Sequence, residues 1–506
     1  MNESRMKNVK KNVIFGNIES ISSLILSVVS RTIFISYLGM EYLGISGLFS
    51  NVLGLLAFTE LGIGTAMNYS LYRPIAENDV EKIKSLMCLY KKAYHWIAIV
   101  ILGIGVIILP LLPLLVKSDY GYDHIYIYYL LYLFDTVSSY FVTYKYAYVT
   151  ALQKGYIITN LNVLLNFCVQ ITQIIAMVVF KSFLLYLIVQ IIFRTVQKII
   201  TVLYLDKQFP ILTEKKSRKL DLKTQDTIKK DIKALIIHKI GDASVHQTDN
   251  IIISIFINTI TVGLMSNYIM IQNTVARFTN TFFNSFTASL GNLITSESKH
   301  RQEEVLDQYT FLGFWIFGFT TTAFISLSQP LFTLWGRMTN TDMLVDNLTM
   351  VLYFITVYLG GQSLTFYNFK VAAGIFDDDK YVALIQAIVN LIVSIMAVFI
   401  IGLPGVYIGT IVQRLVALIW KPIIVYKKQF DKSPKHYFTK TIKYGITTTI
   451  ACVLNIALLK LFFKEITMMS FLGMTITTAF VPNLFFVLVR GKDVEFKALL
   501  RRVIYS

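Results

Sequence analysis

Charge is what this sequence holds least of. Only 15% of its 506 residues are charged, against about a quarter in an ordinary soluble domain. Acids are the scarcer sign, 30 Asp and Glu against 47 Lys and Arg, which disfavours an acid-lined cation site. The three cysteines, Cys88, Cys168 and Cys452, lie far apart in or near apolar segments. That excludes a disulfide framework and a cysteine metal site, and leaves them as small apolar packing residues. There is no nucleophile motif, phosphate-binding loop or glycine-rich dinucleotide fingerprint. No segment between apolar runs exceeds roughly thirty residues, so none could hold a soluble catalytic domain. The chain is not expected to be an enzyme, nor an ATPase acting alone.

What remains is apolar. Hydrophobic residues make up 55% of the chain and the mean hydropathy is +0.60. Apolar runs near the length of a bilayer-crossing helix recur throughout. They fall at 13–37, 43–70, 92–116, 125–150, 156–180, 182–205, 233–257, 263–294, 309–335, 348–373, 381–401, 404–426, 441–463 and 467–489. Unbroken runs of this kind mean helices, so the sequence predicts an all-α integral membrane protein of about fourteen transmembrane helices. The net charge of +17 does not point to nucleic acid, because of where it lies. With the N-terminus inside, the external loops hold only five of the 47 Lys and Arg: Lys117, Lys181, Arg337, Lys460 and Lys464. The positive-inside rule then places both termini in the cytoplasm, and the basic inner face suits anionic lipid headgroups. The first segment carries Glu19 and Arg31 and lacks a convincing cleavage site, so it reads as a retained helix and not a signal peptide.

Two stretches echo one another. Ser30 to Gly47 reads S-R-T-I-F-I-S-Y-L-G-M-E-Y-L-G-I-S-G, and Thr248 to Ser266 reads T-D-N-I-I-I-S-I-F-I-N-T-I-T-V-G-L-M-S. Further pairs follow in order: Gly44 with Gly263, Glu77 with Glu297, Pro110 with Pro330, Ala151 with Ala372, Asn166 with Asn390, and Gln190 with Gln413. Shared order and spacing point to a duplicated six-helix unit. Six is even, so the copies enter the membrane from one side and form parallel repeats. The expected organisation is an N-lobe over 1–206, a basic cytoplasmic linker over 207–232, a C-lobe over 233–428, and two further helices with a basic tail over 429–506. The polar stretches R-P-I-A-E-N-D-V-E-K-I-K and S-E-S-K-H-R-Q-E-E-V-L-D-Q-Y read as short surface helices.

Ionisable groups inside spanning helices are costly unless they face protein or water, so each is a candidate for function. The cations are Arg31, Lys145, Arg194, Lys239, Arg277, Lys370 and Arg414; the acids are Glu19, Glu60, Asp135, Asp242 and Asp249. Helical spacing aligns His238, Asp242, His246 and Asp249 in the seventh segment. It aligns Asn273, Arg277, Asn280 and Asn284 in the eighth. Such stripes suit a wet cavity between the lobes. Lys145, Lys239, Lys370 and Arg414 could equally snorkel to the cytoplasmic surface. Asp242 with its two histidines has approximate metal spacing, but no further ligand supports a metal, and none is expected. Arginine and lysine suit an anionic ligand, while Asn273, Asn280 and neighbouring hydroxyls suit a sugar. Glu60, Asp249 and Asp242 are candidates for proton or sodium coupling, and no cofactor is expected.

The runs R-T-I-F-I-S-Y-L-G-M-E-Y-L-G-I-S-G-L-F-S-N, F-T-E-L-G-I-G-T-A and T-D-N-I-I-I-S-I-F resemble the polysaccharide transporters. These are the Wzx-type flippases of the multidrug/oligosaccharidyl-lipid/polysaccharide (MOP) exporter superfamily. The resemblance runs from the first helix to the twelfth. It implies a V-shaped pair of lobes working by alternating access in the bacterial cytoplasmic membrane. It implies a substrate of undecaprenyl-pyrophosphate-linked oligosaccharide, for capsule, O-antigen or exopolysaccharide. Related lipid II flippases place cavity arginines on helices 1 and 8. Arg31 and Arg277 match these by helix, though not by an alignable motif. Lys145, Lys370, Arg194 and Arg414 would assist them, and the last two helices would form a groove for the lipid tail. The implied protein is a monomer working with membrane lipids, a polysaccharide polymerase and a chain-length regulator. A cation-coupled multidrug exporter and a lipid II flippase are the alternatives. A membrane glycosyltransferase would need a catalytic loop that is absent.

Overall fold

A computed structural model describes residues 25–56, 60, 63–117, 124–213, 226, 228, 248–375 and 381–504. These residues are helical throughout, with no strand among them. The helices are α1 (Ile25–Leu38), α2 (Met40–Leu56), α3 (Ile63–Ala76), α4 (Val80–Ile108), α5 (Ile125–Ala151), α6 (Gly155–Phe180) and α7 (Phe183–Gln208). There follow α8 (248–256), α9 (Thr259–Ser285), α10 (Thr287–Ser296), α11 (Lys299–Thr339), α12 (Asn347–Ala372), α13 (Val382–Ile401) and α14 (Leu403–Val425). Last come α15 (Lys435–Phe462), α16 (Met468–Arg490) and α17 (Val494–Ile504). Twelve of the fourteen expected spans coincide with one or more of these helices, and 13–37 and 233–257 are described only from residues 25 and 248 onward. Among the described residues, ten helices are individually long and apolar enough to cross a bilayer, and α1 and α2 are shorter apolar helices.

The helix ends follow local chemistry. Asp79 accepts a hydrogen bond from the Lys82 amide at 3.0 Å and so starts α4. Asp346 does the same for Thr349 at 2.8 Å in α12, and Ser298 caps α11. Each cap answers an amide that the first turn leaves unpaired. The two stretches expected as separate surface helices are not separate. Val80 continues without interruption into the third span, and Lys299 into the ninth, giving a helix of 41 residues. At 1.5 Å per residue that is about 60 Å, far more than the hydrocarbon thickness. Residues 73–76 instead finish α3, and beyond each cap the amphipathic residues run into the following span because nothing after them breaks a helix. Pro110 does end α4, in a 3₁₀ turn, whereas Pro330 lies inside α11.

The chain forms two compact units, Met1–Ser266 and Asn267–Ser506, the division falling within α9. In the first, α4 packs on α5, α6 on α7 and α5 on α7. The start of α9 crosses α2 with almost no separation. A Cβ at Gly44 would lie 1.9 Å from the Thr259 carbonyl oxygen, and one at Gly263 would lie 2.3 Å from the Met40 carbonyl oxygen and 3.0 Å from the Gly44 amide nitrogen. The two glycines paired by the sequence echo thus touch each other. Only a residue without a side chain allows backbones this close.

In the second unit α13 packs along α14, and α12 on both α11 and α14. The last two spans lean on α11. The fully buried Asn455 of α15 donates to Ser326 of α11 at 2.9 Å and to Thr478 of α16 at 3.0 Å. Trp315 of α11 donates to Asn483 of α16 at 2.8 Å. Phe314 stacks on Tyr444, with ring centroids 4.5 Å apart. In hydrocarbon, where apolar burial gives no net attraction, such amide–hydroxyl bonds and close ring contacts are what hold helices together.

The Gly44–Gly263 crossing gives the first prediction. Gly44→Ala should destabilise the protein by about 1–3 kcal/mol through overpacking against fixed backbone. Gly103→Ala, with nothing within 4 Å of the added Cβ, should not. Thermal unfolding of both variants in detergent checks this, and equal melting temperatures would contradict it.

Candidate functional site

The first unit gathers charge around one carboxylate. Asp135 lies ten residues into α5, and α7 presents Arg194 and Lys198 one turn apart on the facing side. Arg194 Nη1 donates to Asp135 Oδ2 at 2.5 Å. Lys198 Nζ donates to Asp135 Oδ1 at 2.7 Å, to the Asp135 carbonyl at 2.8 Å and to Ser138 Oγ at 2.7 Å. The Asp135 and Lys198 side chains are 13% and 18% exposed, that of Arg194 45%. The carboxylate therefore sits inside and the arginine reaches outward.

Two tyrosines carry the cluster on to α1. Tyr132, one turn before Asp135, interacts electrostatically with Arg194 and Asp135 and hydrogen-bonds Ser46 of α2. Tyr186, in the first turn of α7, interacts with both Arg194 and Arg31. Arg31 lies midway along α1, half-buried. Its Nη1 donates to Ser266 Oγ at 2.9 Å, and that hydroxyl donates to the Gly263 carbonyl at 2.6 Å. Gln197 Nε2 donates to Asn166 Oδ1 at 3.1 Å on an exposed part of α6 and α7. Three cations, one carboxylate, two phenols and several hydroxyls thus share one part of the unit. Guanidinium and ammonium groups in that excess can bind an anion with several oxygens.

Other expected residues fall elsewhere. Lys145 is 5% exposed and donates to Asp206 at the end of α7 at 2.5 Å, so it is neutralised inside the protein and not free to snorkel. Glu60 accepts from Tyr94 Oη at 2.8 Å. Asp249 is half-buried in α8. Asp242, with His238, Lys239 and His246, lies outside the described residues.

In the second unit, Asn273, Arg277, Asn280 and Asn284 form one exposed stripe along α9, with Asn284 accepting from Asn368 at 3.4 Å. Lys370 is buried at the end of α12, its Nζ 5.6 Å from the centre of the Tyr367 ring, while Lys421 approaches that ring at 5.3 Å. Arg414 of α14 lies against α12 where Gly360 leaves room. A Cβ there would be 3.3 Å from the guanidinium carbon.

Lys198 is the site residue the sequence reading missed. It stands four residues after Arg194, and that i, i+4 pair of cations was the available signal. Ser266, Tyr132 and Tyr186 gave no signal, being ordinary residues of apolar helices. Among the described residues no group of His, Cys, Asp and Glu could hold a metal ion.

No protein-family model matches the chain, and no curated protein matches it in sequence. Solved structures do match in fold. The lipid II flippase MurJ in an inward closed conformation superposes with a TM-score of 0.66 at 14% identity, covering 94% of this chain and 99% of its own. An inward-facing multidrug-resistance MATE transporter of the MOP superfamily gives 0.60 at 14% identity, covering 80% and 94%. The Vibrio cholerae MATE transporter VcmN in its bent form gives 0.53 at 16% identity, covering 84% and 98%. The chain shares the fold of these transporters. At such identities the likeness concerns the path of the helices, and the charges on those helices are this protein's own.

Asp135 is the keystone of its cluster. Asp135→Ala should cost about 3 kcal/mol, because it strands the Lys198 ammonium inside the protein and frees Arg194 of its partner. Lys198→Met should cost less, since Arg194 still answers the carboxylate. Asp135→Asn combined with Lys198→Met should recover part of the loss. Denaturant or thermal unfolding in detergent measures all three, and an Asp135→Ala variant as stable as the parent would contradict the assignment.

Proposed function

We propose that this protein is a flippase for undecaprenyl-pyrophosphate-linked oligosaccharide, working by alternating access in the bacterial cytoplasmic membrane with both termini in the cytoplasm. The observation that carries the reading is the excess of cations over carboxylate among Arg31, Arg194, Lys198 and Asp135. A diphosphate offers two or more negative charges and many acceptor oxygens, and such a cluster can bind it without a metal. The tyrosine, serine and asparagine groups around it suit the hydroxyls of a sugar. The exposed Asn273–Arg277–Asn280 stripe offers the same chemistry on α9.

The fold shared with MurJ supports a lipid-linked substrate. Only 6% of this chain lies outside that match, less than the combined length of α15 and α16, so at least part of that helix pair is matched. We assign the pair to the lipid tail. A lipid II flippase is the second reading, favoured by the same match. A cation-coupled drug exporter, the alternative that the multidrug MATE neighbours suggest, calls for acids facing the cavity. Here Asp135 is already held by two cations and Glu60 by a tyrosine hydroxyl. We keep the four-part organisation of two six-helix repeats, basic linker and terminal helix pair within this proposal. A proton or sodium ion could drive the cycle through Glu60, Asp249 or Asp242. The polymerase and chain-length regulator of the same surface polysaccharide are the proposed partners of a monomeric transporter.

Replacing a charge-assisted contact with alanine removes about 1.5–3 kcal/mol. Arg31→Ala and Arg277→Ala should therefore each lower surface polysaccharide roughly ten- to a hundredfold, with membrane abundance unchanged. Immunoblots of surface polysaccharide against protein level give the answer. Normal export by both variants would overturn the reading, and rescue of cells depleted of their lipid II flippase would select the second one.

A further inference from the structure

A second cationic place lies at the other end of the same unit, apart from the cluster around Asp135. A cavity of about 610 Å³ opens between the first turns of α4, the last turns of α5 and α7, and the 3₁₀ turn Pro210–Leu212. Lys84, Lys91, Lys92 and Lys145 line it, with Asp206 as its carboxylate. Asp206 is taken by the buried Lys145 at 2.5 Å, and Lys84 has Glu81 at 3.4 Å. Lys91 and Lys92 are exposed, and no carboxylate among the described residues pairs with them. The cavity therefore holds uncompensated positive charge, and its remaining wall is largely apolar, including Met87, Ile211 and Leu212.

The face of α4 that forms this wall changes character along its length. Cations occupy its first turns at Lys84, Lys91 and Lys92. Trp96 follows, exposed at the cavity's edge, then Ile99. Beyond them the exposed residues are Leu102, Val106 and Ile107. Ammonium, then indole, then aliphatic side chains repeat the order of a membrane leaflet, from headgroup through interface to acyl chain. A free inorganic anion would use only the first third of that surface.

We propose that this cavity binds the phosphodiester headgroup of a resident anionic glycerophospholipid, whose acyl chains lie along Trp96, Ile99, Leu102 and Val106. Lys91 and Lys92 hold the phosphate, and the Lys145–Asp206 pair closes the floor. The bound lipid ties the ends of α4, α5 and α7 to the membrane surface. The site depends on the helices spanning a bilayer and not on what is transported, so it stands or falls separately from the flippase reading.

Native mass spectrometry of the full chain, delipidated and titrated with phosphatidylglycerol, tests it. Each ammonium near an anionic surface contributes about a factor of five, so Lys91→Ala combined with Lys92→Ala should weaken phosphatidylglycerol binding roughly thirtyfold. Both residues are exposed, so the variant should fold, and circular dichroism checks that it does. Trp96→Ala should weaken binding without abolishing it. Arg31→Ala should bind the lipid as the parent does. Phosphatidylcholine should bind far more weakly, and inorganic phosphate should not compete. Equal binding by the double variant, equal binding of phosphatidylcholine, or displacement by inorganic phosphate would each overturn the proposal. Preference for undecaprenyl pyrophosphate over phosphatidylglycerol would overturn it too, reassigning the cavity to the transported lipid.

Discussion

A charge in hydrocarbon persists only when something answers it, and that constraint explains most of what is specific about this chain beyond its apolar helices. Asp135 sits within a spanning helix and would be costly alone. Arg194 and Lys198 answer it at 2.5 and 2.7 Å. The pair over-answers it, however, and the surplus falls to the phenols of Tyr132 and Tyr186 and to Arg31 beyond them. A site with more cation than anion gains when an external anion arrives. The structural requirement and the proposed chemistry are therefore two aspects of one imbalance.

The fold was legible because bilayer thickness sets a length scale that the sequence repeats. The expected spans 125–150, 156–180 and 348–373 meet helices Ile125–Ala151, Gly155–Phe180 and Asn347–Ala372. The sequence was less informative where nothing stops a helix. Asp79 and Ser298 mark the true beginnings of the long helices, and the residues after each cap run on without a breaker. Site residues were legible when their own chemistry singled them out, as at Arg31, Arg194 and Lys145. Their partners were not. Ser266 is 235 residues from Arg31, and a lone serine in an apolar helix says nothing about which arginine will find it. Lys145 shows the complementary failure, because its exposed or buried fate depended on Asp206, which lay just past the expected end of a span.

The echo between the two halves acquires physical content at the α2–α9 crossing. Gly44 and Gly263 were paired by position in the sequence, and in the structure each would clash with the backbone of the other's helix if it carried a side chain. Other paired residues keep similar surroundings. Asn166 bonds Gln197 across α6 and α7, and Asn390 bonds Thr410 across α13 and α14. Gln190 and Gln413 are both buried. What the halves share is the way helices touch. The charges are shared only in part: Lys198 falls opposite Lys421, whereas Asp135 has no charged counterpart at the shared spacing. A duplicated frame with an unshared acid lets the two halves differ in what they bind.

The two ion clusters on α5 and α7 also fix how those helices can pair. Near the middle, α5 supplies the acid, Asp135, and α7 the cations. Near the ends the roles reverse, with α7 supplying Asp206 and α5 supplying Lys145. The two rungs stand about 15 Å apart along α5, given 1.5 Å per residue. If α7 slid by two turns toward either rung, at least one carboxylate would lose its partner and like charges would approach. Reciprocal placement therefore penalises every register but one, a penalty that is largest where no water can enter. That fixed pairing also sets the distance between the lysine cavity at the ends of α5 and α7 and the arginine cluster at their middle. An anion bound at one place cannot shift the other by sliding these helices. Any movement that couples them must carry α5 and α7 together as a rigid pair.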